Sequence, residues 1–286
     1  MKRTILSALL PLLILLGCAK APVTGRTQLI VLGPQQEKAL GFQAEQEIFK
    51  TEKITHDPRY TIPVKRVGMR LAKATGLNLD WKFYVIEKDV PNAFCLANGH
   101  VFVYTGLFKY IDDDAQLATV MGHEIGHAIA HHVAEKVSVN MLTGIATAVA
   151  TAAVNEHVKS NEERMLYDAA LGIGSQVGIL LPYSRMQESE ADHIGLILMA
   201  EACYDPREAL KFWEKFAKLD QKGPQVPVYL RTHPLSRQRI ENLKRWMPQA
   251  LKIYDECHEK AKNSTISLKK VKAPKSEEAL LGKPVK

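Results

Sequence analysis

The segment VMGHEIGHAIAHH, residues 120–132, constrains this chain more than any other stretch. His123 and His127 are four residues apart, so on a helix they differ by about 40° in azimuth and one turn in height. Two imidazoles so placed converge on one ion, which neighbouring histidines cannot do. Glu124, beside the first of them, can reach a water on that ion. The fold must therefore place a helix here and bring a further ligand to it from another element.

This is the H-E-x-x-H arrangement, in which two histidines hold zinc and the glutamate serves as general base. The other two histidines do not extend it. A third histidine ligand in the metzincin spacing falls at position 133 with glycine at 130, and the residues there are Val133 and Ala130. His131 and His132 are accordingly expected on the helix surface or in hydrogen bonds. Acids for a third ligand occur in YSRMQESEADHIG, residues 183–195. Ser184-x-x-Gln187 has capping-box spacing and starts a helix. On that helix Glu188 and Asp192 share a face, and Glu190, about 200° from Glu188, points elsewhere. Glu188 is expected to bind zinc, and Asp192 to accept the free ring N–H of a ligand histidine. Three protein ligands leave a fourth position for water, as in a catalytic zinc site.

Around these motifs the chain reads as mainly α with a small β-sheet (α+β). PQQEKALGFQAEQEIFKTE has helical periodicity, whereas WKFYVIEKD and GHVFVYTG are short β-branched and aromatic runs that read as two strands. HVFVYT is expected to offer a sheet edge to an extended peptide; an ordinary core strand is the other reading. DDDAQLATVMGHEIGHAIAHHVAEKVS reads as one helix, with Asp113 and Gln116 at capping spacing. Val137 to Asn155 and Ala169 to Ser184 carry no charge and read as buried or groove-lining helices, with membrane contact the minority reading. Helices follow Ser184, Pro206 and Pro234.

The leader MKRTILSALLPLLILLGC has a basic start and a thirteen-residue apolar stretch, Thr4 to Leu16, too short for a comfortable membrane span. Leu15-Leu16-Gly17-Cys18 resembles the bacterial lipobox, so residues 1–17 are expected to be a lipoprotein signal peptide and Cys18 the lipidated first residue of the mature chain. Alanine at position 19 implies release to the outer membrane of a Gram-negative cell. Residues 18–250 are expected to form one zinc metallopeptidase domain and 251–286 the end of a helix and a basic, mobile tail. The net charge is +7, but Lys2 and Arg3 account for two of it and residues 259–286, with eight lysines and three glutamates, for five. The remaining body is near neutral, so no nucleic-acid partner is expected. Of the other cysteines, Cys203 and Cys257 are the preferred disulfide pair, and Cys95 reads as a buried hydrophobe.

HEIGH followed some sixty residues later by ESEAD resembles the gluzincin family of CAAX-prenyl-protease-like metallopeptidases (Ste24-type, HtpX-like), including its short bacterial lipoprotein members. VTGRTQL, NAF with NGHVFVYTGL, and RTHPLSRQRI also match elements of that family. The resemblance covers roughly residues 22–245 and implies a minigluzincin fold with one zinc per chain. It assigns His123, His127 and Glu188 as zinc ligands, Glu124 as the catalytic base and Asp192 as the catalytic acid of the second motif. It further implies unfolded or misassembled envelope polypeptides as substrates, with the outer-membrane assembly machinery as a partner.

Two other functions remain open on these residues: a lipid-anchored scaffold with a structural zinc, and a hydrolase of peptidoglycan peptides. His233 in RTHPLSRQRI, held out of the α conformation by Pro234, has three readings. It can occupy the open zinc position, donate to the oxyanion of the reaction, or merely cap the next helix. The resemblance favours zinc occupancy.

Overall fold

The computed structural model describes residues 18–154, 184–220 and 228–270. An antiparallel hairpin opens it, β1 (Cys18–Lys20) paired with β2 (Thr27–Leu29) so that Cys18 lies opposite Leu29. Helix α1 (Pro34–Thr51) follows, and α2 (Pro58–Ala74) starts where the Asp57 carboxylate accepts the backbone N–H of Arg59 at 2.9 Å. Pro63 sits inside α2 and obscures its helical reading in the sequence.

The two expected strands are present as β3 (Lys82–Ile86) and β5 (His100–Tyr104), and they pair in parallel. A third, β4 (Ala93–Cys95), pairs antiparallel with the other side of β5. The order is therefore β3-β5-β4, which corrects the expectation that HVFVYT is an edge. It is the central strand, fully buried, with both sides taken. Its unbroken apolar run matches that position better than an alternating edge strand. The side toward the helix over Asp114–Ile129 belongs to β4.

Helix α3 (Asp114–Ile129) carries the two-histidine motif and is capped by Asp113, whose side chain accepts Gln116 N–H at 2.8 Å. It does not run on as one helix. His131 has φ +53°, and a new helix, α4 (His132–Val154), leaves in another direction. This break corrects the single long helix expected, and it determines where His132 goes. Among the described residues no helix is long and apolar enough to cross a membrane; Ala169 to Tyr183 lie outside them.

Helix α5 (Arg185–Glu201) begins with the expected capping box of Ser184 and Gln187. Then come α6 (Arg207–Asp220), a one-turn α7 (Val228–Thr232) and the long α8 (Arg237–Lys270). Helix α8 ends at Lys270, twenty residues into the stretch 251–286 expected to hold a helix end and a tail. Cys203 and Cys257 are joined in a disulfide with Cα atoms 5.6 Å apart, and Cys95 is free and buried, both as expected.

The core lies where α3 and α5 cross, with Leu117, Met121, Ile125 and Ile194 buried between them and Phe212, Trp213 and Phe216 of α6 alongside. Small residues let the two backbones touch. A Cβ on Gly195 would stand 2.8 Å from the His123 nitrogen, and one on Gly126 3.0 Å from the Ala191 carbonyl oxygen. Real Cβ atoms essentially never approach as closely as the first of these, and few approach as closely as the second. Gly122 and Gly126 on one helix and Ala191 and Gly195 on the other thus bring the faces that carry His123, His127 and Glu188 within side-chain reach.

Candidate active site

Across this contact the side chains of His123, His127 and Glu188 meet, all nearly inaccessible to solvent. The Nε2 atoms of the two histidines are 3.0 Å apart. Glu188 places Oε2 3.5 Å from His123 Nε2 and Oε1 3.3 Å from His127 Nε2. His233 joins them, its Nδ1 3.1 Å from Glu188 Oε1 and 3.3 Å from His123 Nε2. A tetrahedral zinc with bonds of about 2.0–2.2 Å holds its ligand atoms about 3.3–3.6 Å apart, so this donor set fits the ion closely. Glu188 Oε2 is buried without a hydrogen bond; its near neighbour, Arg239 Nη1 at 2.7 Å, makes a charge contact only. An oxygen so placed suits a ligand atom.

Each ligand histidine has a partner on its other nitrogen. His123 Nδ1 lies 3.0 Å from Asp192 Oδ1, as the helical phase predicts. Arg239 then holds Asp192 with two hydrogen bonds, Nε to Oδ2 at 2.6 Å and Nη2 to Oδ1 at 2.8 Å. Asp192 therefore faces His123 on one side and Arg239 on the other. His127 Nδ1 faces His132 Nδ1 at 2.8 Å, and His132 Nε2 faces Glu190 Oε2 at 3.0 Å. Glu190 thus lies outside the donor set but is tied to it through His132. His131 is remote, paired with Glu37 at 2.8 Å.

Glu124 is buried beside the donor set, and its Oε1 accepts the Tyr229 hydroxyl at 2.7 Å. Burial raises its carboxyl above the usual range, against the pull of His233, His123 and Tyr229. Burial also works to raise Glu188, but there Arg239 and His233 prevail and hold it well below that range. Two carboxylates a turn of chemistry apart are thereby separated in proton affinity. The one kept ionised can hold a cation, and the one lifted takes up a proton more readily than an ordinary carboxylate.

Tyr229 stacks on His233 with ring centroids 4.5 Å apart, and Trp213 stacks on Tyr229 at 5.9 Å. The cap reading of His233 is not what the geometry shows. Ser236 stands at the start of α8, accepting Arg239 N–H at 3.3 Å, and the His233 ring turns inward instead. Tyr229, Arg239 and Arg26 were not singled out from the sequence, and His132 only as a surface or hydrogen-bonding histidine. Tyr229 lies one helical turn before His233, and Arg239 sits within the same quoted motif; those spacings were the available signals.

A buried two-helix donor set with a carboxylate beside it, on a mainly helical fold with a small sheet, resembles the sites of gluzincin-type zinc metallopeptidases. Residues 58–247 match Peptidase family M48, and the chain belongs to that family. It is 36% identical over 261 residues to the mitochondrial metalloendopeptidase OMA1 of Bos taurus, covering 83% of this chain and 47% of the bovine protein. It is 30% identical over 256 residues to the OMA1 of Saccharomyces cerevisiae, covering 83% and 71%. To the β-barrel assembly-enhancing protease of Escherichia coli it is 26% identical over 207 residues, covering 72% and 42%. The chain thus spans about half the length of the bovine relative. These relatives support family M48 as a whole rather than its Ste24-type and HtpX-like branches in particular.

Proposed function

We propose that this chain is a zinc-dependent endopeptidase, with His123, His127 and Glu188 as ligands and Glu124 as general base. The observation that carries the reading is the buried Glu124 carboxylate, lifted in proton affinity and held by Tyr229 beside the donor set. A structural zinc needs no such base, which disfavours the scaffold reading. Bound zinc supplies Lewis acidity toward a water and the scissile carbonyl. Glu124 takes the proton from that water on its carboxylate and delivers it to the leaving amine, with Tyr229 fixing the carboxylate's orientation. Asp192 and Arg239 keep His123 in the tautomer whose Nε2 lone pair faces the donor set.

An extended polypeptide enters beside β4, whose outer side pairs with no strand among the described residues. Pairing through main-chain groups selects for unfolded chains with little side-chain preference. Ala93 and Cys95 are buried, so their cover must move first. His233, seated at the fourth corner of the donor set, is a further element that must shift, and the site is therefore a resting one. Substrates are misfolded or misassembled envelope proteins. The enzyme is tethered by lipid on Cys18 to the periplasmic face of the outer membrane, and the E. coli relative's name, β-barrel assembly-enhancing protease, supports that setting. Peptidoglycan peptides are the competing substrate class.

The test is casein turnover by the full chain with and without a chelator, beside capture of trapped polypeptides by Glu124→Gln. Chelator-resistant turnover overturns the zinc mechanism. Trapped cell-wall peptides without proteins overturn the substrate assignment.

A further inference from the structure

The two ligand histidines are held from opposite sides in different ways. His123 meets a carboxylate directly, whereas His127 meets another histidine. We propose that His132, Glu190 and Arg26 form a positioning relay for His127, which makes the N-terminal hairpin a working part of the metal site. The inference rests on the zinc metallopeptidase reading above.

The direction of every hydrogen bond follows from one condition. His127 Nε2 faces the donor set, 3.0 Å from His123 Nε2, so a lone pair there places the ring proton on Nδ1. Nδ1–H then donates to His132 Nδ1 at 2.8 Å. His132 accepts at Nδ1, carries its own proton on Nε2, and donates it to Glu190 Oε2 at 3.0 Å. A carboxylate ends the chain, as one does beside His123, but it lies one residue further out.

Glu190 is itself fixed from the hairpin. Arg26 Nε donates to Glu190 Oε2 at 2.7 Å, and the Thr24 hydroxyl donates to Glu190 Oε1. The same guanidinium forks onto Glu135, Nη1 to Oε1 at 2.6 Å and Nη2 to Oε2 at 2.7 Å. Gln28, from β2, donates to the Ala130 carbonyl at 2.6 Å, where α3 ends. That contact braces the turn at His131, whose left-handed backbone lets His132 fold back. On an uninterrupted helix a residue five positions on points about 140° away, and the contact with His127 could not form. His132, Glu190 and Gln28 are all buried, so bulk water does not substitute for any link.

The test measures zinc affinity rather than turnover, in full-chain protein carrying Glu124→Gln so that hydrolysis is silent. His132→Phe keeps a ring and removes the acceptor; it should weaken zinc binding by about 10–100-fold, the usual loss when a ligand's outer partner is removed. His132→Asn places an amide oxygen where Nδ1 stood, accepts from His127, and should recover most of that loss. Arg26→Leu, at the half-exposed end of the relay, should give a smaller loss in the same direction, and it serves where the Phe variant does not fold. Cobalt in place of zinc reports geometry: the visible spectrum should shift in the Phe variant and return in the Asn variant. A folded Phe variant with parental affinity, an Asn variant no better than Phe, or unchanged affinity in Arg26→Leu overturns the relay. A parent protein that binds no zinc overturns the metallopeptidase reading itself.

Discussion

The Tyr229 hydroxyl donates to Glu124 Oε1 at 2.7 Å, joining a residue of the one-turn helix α7 to the centre of α3, 105 positions earlier. This bond orients the base without touching the donor set. Tyr229→Phe should therefore lower kcat by ~10–100-fold, the scale of a hydrogen bond to a charged group of about 1.5–3 kcal/mol. Zinc content should stay unchanged. Metal analysis beside steady-state kinetics checks it; loss of metal with the hydroxyl would show that Tyr229 supports the ligands instead.

Glu124→Gln should abolish hydrolysis, since a general base is worth ~10²–10⁴-fold, and retain about one zinc per chain, the ligand complement of the site. His123→Ala and Glu188→Gln should lose zinc. Normal turnover by the Glu124 variant would end the base assignment.

His233→Ala should raise basal proteolysis and speed the entry of active-site inhibitors if the ring rests at the fourth corner of the donor set. The alternative role makes the opposite forecast. An oxyanion donor removed lowers kcat by ~10²–10³-fold, so the sign of the change decides between the two.

Arg239 is fully enclosed between Asp192 and Glu188 and lies 4.4 Å from the Trp213 ring. Replacing it with methionine fills the volume but leaves two buried carboxylates without their cation. Breaking a buried pair in this way costs about 3–5 kcal/mol. Denaturant unfolding of the metal-free protein should show that loss, and zinc should recover part of it by supplying positive charge to Glu188.

Glu190 carries a pH signature. Burial opposes its ionisation, but His132, Arg26 and Thr24 prevail and bring its carboxyl down to about 2. A carboxyl depressed in the folded state stabilises the fold fully above its ordinary value, and the contribution fades as pH falls toward the folded one. Glu190→Gln should thus be destabilised against wild type at pH 7, and the gap should narrow steadily below about pH 4.5. Melting curves across that range test it. A gap independent of pH would mean that the charge of Glu190 contributes nothing.

The catalytic core of this protein was legible because its chemistry follows helical spacing. His123 with His127, and Glu188 with Asp192, are pairs four residues apart, and such pairs share a face in any α-helix. The Ser184–Gln187 cap was readable for a similarly local reason, and the 203–257 disulfide because Cys18 and Cys95 had other readings. What failed was whatever depended on neighbours distant in the chain. HVFVYT could be recognised as a strand, but whether it lies at an edge depends on β4, a three-residue strand too short to announce itself. The break at His131 is a backbone choice held by Gln28, 102 residues upstream, and no periodicity in the helix predicts it. Arg239, Tyr229 and Arg26 reach the site from three separate segments and act through contacts made only when those segments pack. Helical phase is a property of a few consecutive residues. Which buried charge meets which partner is settled by the packed core, where an unpaired group costs too much to remain.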